Sequence, residues 1–315
     1  MGSDITSRAR NSKPQTEVSS LPKVVIVILN HNGKLLAERC LQSVMNSRYA
    51  NKEVILVDNA STDGSVEYLR GIFPEVRILE NVENLGVAGG RNRGFREAAR
   101  SDTDYILSLD NDARIDSHFI EELLTVAESD ERIGVVGPKA YSDDDSGTIQ
   151  CAGGCITYTQ NVCAQRGLGQ IDHGQYDRLE DVEYFPGFGF MARQEVFESL
   201  MFLDETFYGY GHEDTDFCVR AARLGYRVVY VPRAVMWHRR SATIGGYSPR
   251  KKYLEAVNSA YFVRKYGTPR DCLKYAFFAG FGLVYALVVQ SLRGNQKAVF
   301  AKAQGIWDGL RKPIH

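Results

Sequence analysis

The chain has 315 residues, 44 % of them apolar and 24 % charged, ordinary proportions for a globular protein able to bury a large core. Its 38 basic and 39 acidic residues leave a formal net charge of -1. That balance excludes a nucleic-acid binder working through a broad basic face, so any phosphate bound here is held locally. Cys151, Cys155 and Cys163 cluster without the paired spacing of a structural zinc site, which predicts free thiols in a reducing compartment.

Residues 1–21 are polar, rich in Ser, Arg and Lys, and have no apolar centre; they predict a disordered tail rather than a secretory signal. From Lys23 to Gly137 strand and helix patterns alternate. Strands are expected at Val24 to Leu29, Val54 to Val57, Val76 to Leu79, Tyr105 to Leu109 and Ile133 to Val136. Helices are expected at Leu35 to Ser47, Ser65 to Phe73, Gly89 to Arg100 and Ser117 to Ser129. Apolar strands joined by helices imply an α/β fold with a mostly parallel central sheet flanked by helices. In such sheets ligands bind beyond the carboxyl ends of the strands.

Those ends are polar. They read Asn30-His31-Asn32-Gly33, Asp58-Asn59-Ala60-Ser61-Thr62-Asp63-Gly64 and Asp110-Asn111-Asp112. The two carboxylates of Asp110 and Asp112, spaced i and i+2, point to one side of the chain and can chelate a divalent cation while leaving positions for phosphate oxygens. Acidic residues after strands are also ordinary turn formers, and Ser61 and Thr62 suit a helix cap, so each loop has a purely local explanation as well.

Asn84-Leu85-Gly86-Val87-Ala88-Gly89-Gly90-Arg91-Asn92-Arg93-Gly94 opens a helix whose small residues admit a close neighbour and whose start favours anions. It is neither a dinucleotide fingerprint nor a P-loop. Residues 140–185 are more irregular: Ile149 to Thr157 and Asn161 to Arg166 suggest a hairpin, and Ser142-Asp143-Asp144-Asp145-Ser146-Gly147 a solvated turn. Further on, Gly211-His212-Glu213-Asp214-Thr215-Asp216 leads into a helix closed at Gly225, and Arg227 to Val231 into a strand followed by Ala234-Val235-Met236-Trp237-His238.

Tyr275 to Leu292 carries no charge and as a helix would be roughly 27 Å long, a borderline match to a bilayer core of about 30 Å. Arg270 and Lys274 precede it, and Arg293, Lys297 and Lys302 follow. Val299, Phe300, Ile306, Trp307 and Leu310 suggest an interfacial amphipathic helix over 298–310. Membrane attachment through 275–310 is expected, as a monotopic or re-entrant helix rather than a full span.

Taken together the motifs resemble an inverting GT-A glycosyltransferase of family 2, in the rhamnosyltransferase-like branch. The matching pieces run in order from Ile28-Leu29-Asn30-His31-Asn32-Gly33 through the Asp58 loop, Asn84 to Gly94 and Leu109 to Asp112. They continue with Gly187 to Arg193, Leu203-Asp204-Glu205, His212 to Arg220 and Pro232 to His238, and span roughly 70 % of the chain.

The resemblance implies a GT-A nucleotide-diphospho-sugar transferase domain over 22–245, with a nucleotide-sugar half at 22–137 and an acceptor half at 138–245, and a helical extension over 246–315. It implies donor contacts from Leu29, Asn30, Asn32, Asp58, Asn59, Asn84, Gly86, Gly90, Asn92, Asp110 and Asn111, with Asp58 on the base. A metal site of Asp110, Asp112 and His238 would hold Mn2+ or Mg2+. Asp214 is the implied catalytic base with Glu213 beside it, and Gly187, Phe188 and Trp237 face the acceptor. Arg91 departs from an asparagine common in the branch, and His31 from an aromatic residue.

The implied reaction moves a sugar from dTDP-rhamnose or a UDP-sugar to a glycan or lipid-linked saccharide, in cell-surface polysaccharide synthesis at the cytoplasmic face of the membrane. A homodimer is left open. The competing reading is a non-catalytic nucleotide-sugar or glycan-binding protein on the same fold.

Overall fold

The computed structural model describes residues 21–144, 146–209, 211–239 and 248–314. The tail expected over 1–21 therefore falls, but for Leu21, outside the described residues, as does the boundary at 245. The first half runs β1 (Val24–Asn30), α1 (Lys34–Met45), β2 (Lys52–Asp58), α2 (Ser65–Ile72), β3 (Arg77–Glu80), α3 (Gly86–Ala98), β4 (Tyr105–Asp110), β5 (Ala113–Ile115), α4 (Phe119–Ala127) and β6 (Ile133–Ser142). Four short strands follow: β7 (Ile149–Cys151), β8 (Gly154–Ile156), β9 (Cys163–Gln165) and β10 (Glu180–Asp181). Then come β11 (Gly189–Arg193), α5 (Gln194–Ser199), α6 (Glu213–Arg223), β12 (Arg227–His238), α7 (Pro249–Tyr266), α8 (Pro269–Leu292) and α9 (Gln296–Arg311).

The main sheet has the order β10-β12-β6-β11-β4-β1-β2-β3, with β5 beside β12 and β7 beside β6. β1, β2, β3 and β4 are mutually parallel, as the helical crossovers between them require. β11 runs antiparallel between β4 and β6, so the sheet is mixed. The chain reaches β11 through the irregular 157–188 segment rather than through a crossover helix, which removes the constraint that keeps strands parallel. The expected hairpin is half present: β8 pairs with β9, while β7 joins the main sheet against β6.

Alternation along the strands divides the core in two. Val24, Ile26 and Ile28 face α1 and α4, packing on Leu41, Val44, Phe119 and Leu123. Val25 and Val27 face α3, and the same layer continues through Phe197 of α5 and Phe217 of α6. Gly94 allows this closeness, since a Cβ there would stand 2.4 Å from Val27 Cγ1. The register pairs Asn30 with Asp58 and Leu29 with Asp110, so three strands end on one edge with their polar loops together.

The C-terminal helices are tied to this domain. Lys265 of α7 pairs with Asp204 at 2.8 Å and Asp216 at 2.7 Å, and the Tyr266 hydroxyl donates to Asp216 at 2.5 Å. Asp216 also takes Arg220 at 2.6 Å, which satisfies a carboxylate with no solvent exposure. α9 lies against α7 at backbone contact, because a Cβ on Gly305 or Gly309 would stand 2.4 Å from the Tyr253 carbonyl or 2.3 Å from that of Val257.

The amphipathic segment is thus a helix, but its stripe of small residues, not its aromatics, makes the intramolecular contact. Phe300 and Trp307 remain exposed. α8 is long and apolar enough to cross a membrane and is mostly uncovered, with Leu273, Phe277, Phe281, Val284, Tyr285, Val288 and Leu292 all exposed.

Candidate active site

β1 and β2 end in a pocket of buried polar side chains. Asn30 donates from Nδ2 to Asp58 Oδ2 at 3.0 Å and accepts from Asn111 Nδ2 at 2.7 Å. Asp58 Oδ1 takes the Ser61 backbone N–H at 2.8 Å, closing the loop after β2. Asn32, at φ 52°, accepts from the Thr62 N–H at 2.7 Å. Asn59 donates to Asn84 Oδ1 and the Gly86 carbonyl, both at 3.0 Å, and so fastens the loop that starts α3. Of the residues expected to contact a donor, Asn92 is not brought to this pocket: it is fully buried and bonds both polar groups of Leu203, at 2.9 Å each, and Glu205 at 2.8 Å. Gly90 makes room for the protein itself, since a Cβ there would stand 2.6 Å from Leu29 Cδ1.

At the end of β4, Asp110, Asp112 and His238 offer ligand atoms within 4.8 Å of one another. His238 Nε2 lies 3.1 Å from Asp112 Oδ1 and 3.9 Å from Asp110 Oδ2. Antiparallel pairing of His238 with Ala113 produces this meeting, bringing the last residue of β12 beside the acidic turn. Behind the ring, Gln150 Nε2 is 2.8 Å from His238 Nδ1, while Gln150 Oε1 is buried without a partner. Turning the amide over, which leaves its shape unchanged, lets Oε1 accept Nδ1–H and leaves the Nε2 lone pair facing the two carboxylates. Two hard oxygens, one imidazole and an oriented second layer fit Mn2+ or Mg2+. Phe188 stacks on His238 with ring centroids 4.3 Å apart, and Arg114 covers the Trp237 ring at 4.0 Å.

The feature that sequence reasoning missed is Arg91. Its side chain is 3 % exposed; one terminal nitrogen pairs with Asp110 at 2.5 Å and the other with Glu213 at 3.3 Å. It fits only because residue 187 is glycine, since a Cβ there would stand 2.1 Å from the guanidinium. The Gly187 N–H in turn donates to Asp214 Oδ2 at 2.6 Å, and the Thr215 N–H donates to Asp214 Oδ1 at 2.6 Å. Burial, and the neighbouring Asp214 charge, push the Glu213 carboxyl well above the usual carboxylate range, while Arg91 opposes the shift. Asp214 is raised as well, burial again outweighing its hydrogen bonds. Glu213 Oε2 and Arg91 Nε are both buried without partners. A lone arginine in a glycine-rich stretch carries no periodic signal; only the excess of carboxylates at the same strand ends hinted at an internal cation.

His212 precedes this pair in a left-handed conformation, φ 72°, with Nε2 2.9 Å from Ser259 Oγ of α7 and Nδ1 3.7 Å from Cys163 Sγ. Burial depresses its basicity to a pKa of about 4, so the ring is neutral. In the turn at 142–147, Asp144, Ser146 and Gly147 are exposed as expected, while Asp143 is held by Arg39 at 3.4 Å and Arg114 at 3.2 Å.

The sequence profile described as glycosyl transferase family 2 matches residues 24–212, more than half of the chain, and takes in the ends of β1, β2 and β4 but not Glu213, Asp214 or His238. The chain belongs to glycosyl transferase family 2. It is similar to the poly-beta-1,6-N-acetyl-D-glucosamine synthase of Staphylococcus aureus, 23 % identical over 253 residues that cover 75 % of this chain and 54 % of the relative. The chain thus spans about half the length of that curated relative.

Solved structures share the GT-A fold of this family 2 chain. The mannosyltransferase PcManGT of Pyrobaculum calidifontis, in complex with GDP-Man and Mn2+, superposes with a TM-score of 0.60 at 17 % identity, covering 94 % of this chain and 89 % of its own. S. aureus TarS 1-349 with UDP-GlcNAc gives 0.61 at 13 % identity, covering 92 % and 81 %. GalNAc-T7 with UDP, GalNAc and Mn2+ gives 0.62 at 16 %, covering 79 % and 48 %.

Proposed function

We propose that this family 2 protein is an inverting glycosyltransferase that moves a hexosyl or rhamnosyl unit from a nucleotide-diphospho-sugar to a hydroxyl of a glycan or lipid-linked saccharide. The observation that carries the reading is one strand edge holding two different carboxylate groups. The ligand set of Asp110, Asp112 and His238 lies on one side of Arg91, and the Glu213–Asp214 pair on the other. Asp58 and Asn30 take the base, with Leu29, Asn32, Asn59, Asn84, Gly86 and Gly90 framing that pocket and Asn111 bracing it. Asn92 acts from behind, by holding α3 to residues 203–205.

A bound divalent cation would offset the charge that builds on the leaving diphosphate. The chain's own contribution is the proton. The acceptor hydroxyl loses its hydrogen to Asp214, held by two backbone N–H groups, and a carboxylate in this role contributes about 10²–10⁴-fold. Glu213 shares the negative charge and is the alternative acceptor of that proton. Gly187, Phe188 and Trp237 border the acceptor side. One base and one displacement invert the anomeric centre.

The rhamnosyltransferase-like branch, dTDP-rhamnose ahead of UDP-sugars, and a role in cell-surface polysaccharide follow from the motif resemblance. The similarity to a polysaccharide synthase supports the last of these. The uncovered faces of α8 and α9 support attachment to a membrane; the cytoplasmic face follows from the motif resemblance. The test is calorimetry of the full chain against dTDP-rhamnose, UDP-hexoses and GDP-sugars, with and without Mn2+ or Mg2+. Metal-dependent binding of one donor, followed by transfer with inversion, is the expected result. Failure of a folded protein to bind any donor refutes the reading in favour of a glycan-binding protein.

A further inference from the structure

A cavity of about 360 Å3 opens between α7 and α9. Its wall is apolar and aromatic, from Tyr253, Leu254 and Val257 of α7 and from Tyr208; its rim is charged, from Arg311 and Lys312. Asp308 at the same rim is occupied by the Tyr253 hydroxyl at 3.0 Å, and Lys312 is held by the Thr206 carbonyl, so Arg311 is the exposed cation.

Arg311 and Tyr208 give the cavity two directions. Arg311 lies 3.9 Å over the ring of Trp307, which belongs with Phe300 and Leu310 to the exposed apolar side of α9. An exposed tryptophan topped by an arginine suits a helix lying at a lipid surface, the ring in the headgroup layer and the charge beside phosphates. Tyr208 lines the cavity from outside the two helices. Its ring is 3.4 Å from where a Cβ on Gly86 would stand, at the start of α3, and its carbonyl accepts from Asn258 at 3.2 Å. Tyr208 and the Gly209 backbone, whose nitrogen is 3.1 Å from the same point, therefore stand between the cavity and the glycine that opens the donor-side helix.

We propose that this cavity takes the phosphate head and first chain carbons of the lipid that carries the acceptor sugar, a phosphate ester of a long apolar alcohol. This rests on the lipid-linked acceptor reading above. The lipid enters from the bilayer surface under α9, its phosphate meets Arg311, its first carbons lie along Tyr253, Leu254 and Val257, and the attached sugar extends past Tyr208 toward the strand ends. The volume is at the small end of the usual range for ligand pockets, about 300–1,000 Å3, room for a phosphate head and a short run of chain rather than for a whole lipid.

The experiment is flotation of the full chain with neutral phosphatidylcholine vesicles doped either with a long-chain isoprenyl phosphate or, at equal charge, with phosphatidylglycerol. The expected result is several-fold tighter binding to the isoprenyl phosphate vesicles. Arg311→Glu and the cavity-filling Val257→Phe should each bring the ratio of the two affinities to one. Lys274→Glu, on α8 away from the cavity, should weaken both bindings alike and keep the ratio. Equal binding to the two vesicles by the parent chain overturns the proposal, as does a ratio that survives both cavity variants in folded protein. Metal-dependent donor binding is measured in parallel: its presence without a lipid preference refutes the cavity alone, whereas its absence refutes the glycosyltransferase reading beneath it.

Discussion

Replacing Arg91 by methionine removes a buried cation that, among the described residues, alone pairs with both Asp110 and Glu213. Asp110 and Glu213 each lose an ion pair, at 2.5 and 3.3 Å, and Asp214 loses a nearby positive charge. Breaking a buried pair by removing one partner costs about 3–5 kcal/mol, because the remaining charges are left uncompensated. The cost must depend on pH. Burial already raises Glu213 and Asp214 above their unfolded values, and Arg91 works against that rise. Without it both folded values climb further, so the folded state binds more protons than the unfolded chain across a wider window above the usual carboxylate range.

A group raised in the folded state stabilises below its unfolded pKa, and that contribution is lost as pH rises through the folded value. The deficit of the variant should therefore be small in mild acid and grow by about 1.4 kcal/mol per pH unit for each extra proton retained. Urea unfolding of parent and variant across the acid-to-alkaline range measures it. A deficit that stays constant with pH, or a variant more stable than the parent above neutrality, refutes the assignment of Arg91 as counter-cation. Gly187→Ala should reproduce the behaviour, because its methyl group takes the space of the guanidinium.

Asp214→Asn should keep metal and donor binding while transfer falls about 10²–10⁴-fold; unchanged transfer in a radiolabel assay would move the base to Glu213. Transfer by the parent should rise as pH climbs above the ordinary carboxylate range, following deprotonation of the raised pair, and a rate already maximal in mild acid would contradict this. Gln150→Leu removes the partner of His238 Nδ1, and Mn2+ affinity by calorimetry should drop about 10–100-fold; an unchanged affinity would show that Gln150 does not orient a metal-binding His238. Phe277→Asp with Phe281→Asp on the uncovered side of α8 should abolish vesicle flotation and leave the melting temperature unaltered, whereas retained flotation would place attachment elsewhere.

The strand ends were legible because each is a local pattern: an apolar run, then Asn30, Asp58 or Asp110. Parallel register did the rest by aligning them. The helices α1 to α4 were legible from periodicity for the same reason. What escaped is pairing between single residues far apart in the chain. Arg91 meets Glu213 across 122 positions, and Gln150 meets His238 across 88, and neither distance leaves a trace in spacing. The antiparallel β11 escaped too, since an apolar strand looks alike in either direction. Asp143 read as a turn residue because its two arginines come from α1 and β5.

The bonds that α7 makes bear on how this protein can be divided. Ser259 steadies His212, the residue before Glu213, while Lys265 and Tyr266 secure Asp216 one turn further along α6. A fragment ending after Gly267 keeps all three of these anchors and sheds the greasy helix α8 and the helix that follows it. A fragment trimmed back to residue 245 loses all three. The shorter piece follows the motifs, yet only the longer one keeps the contacts by which α7 holds the residues on either side of Glu213 and Asp214.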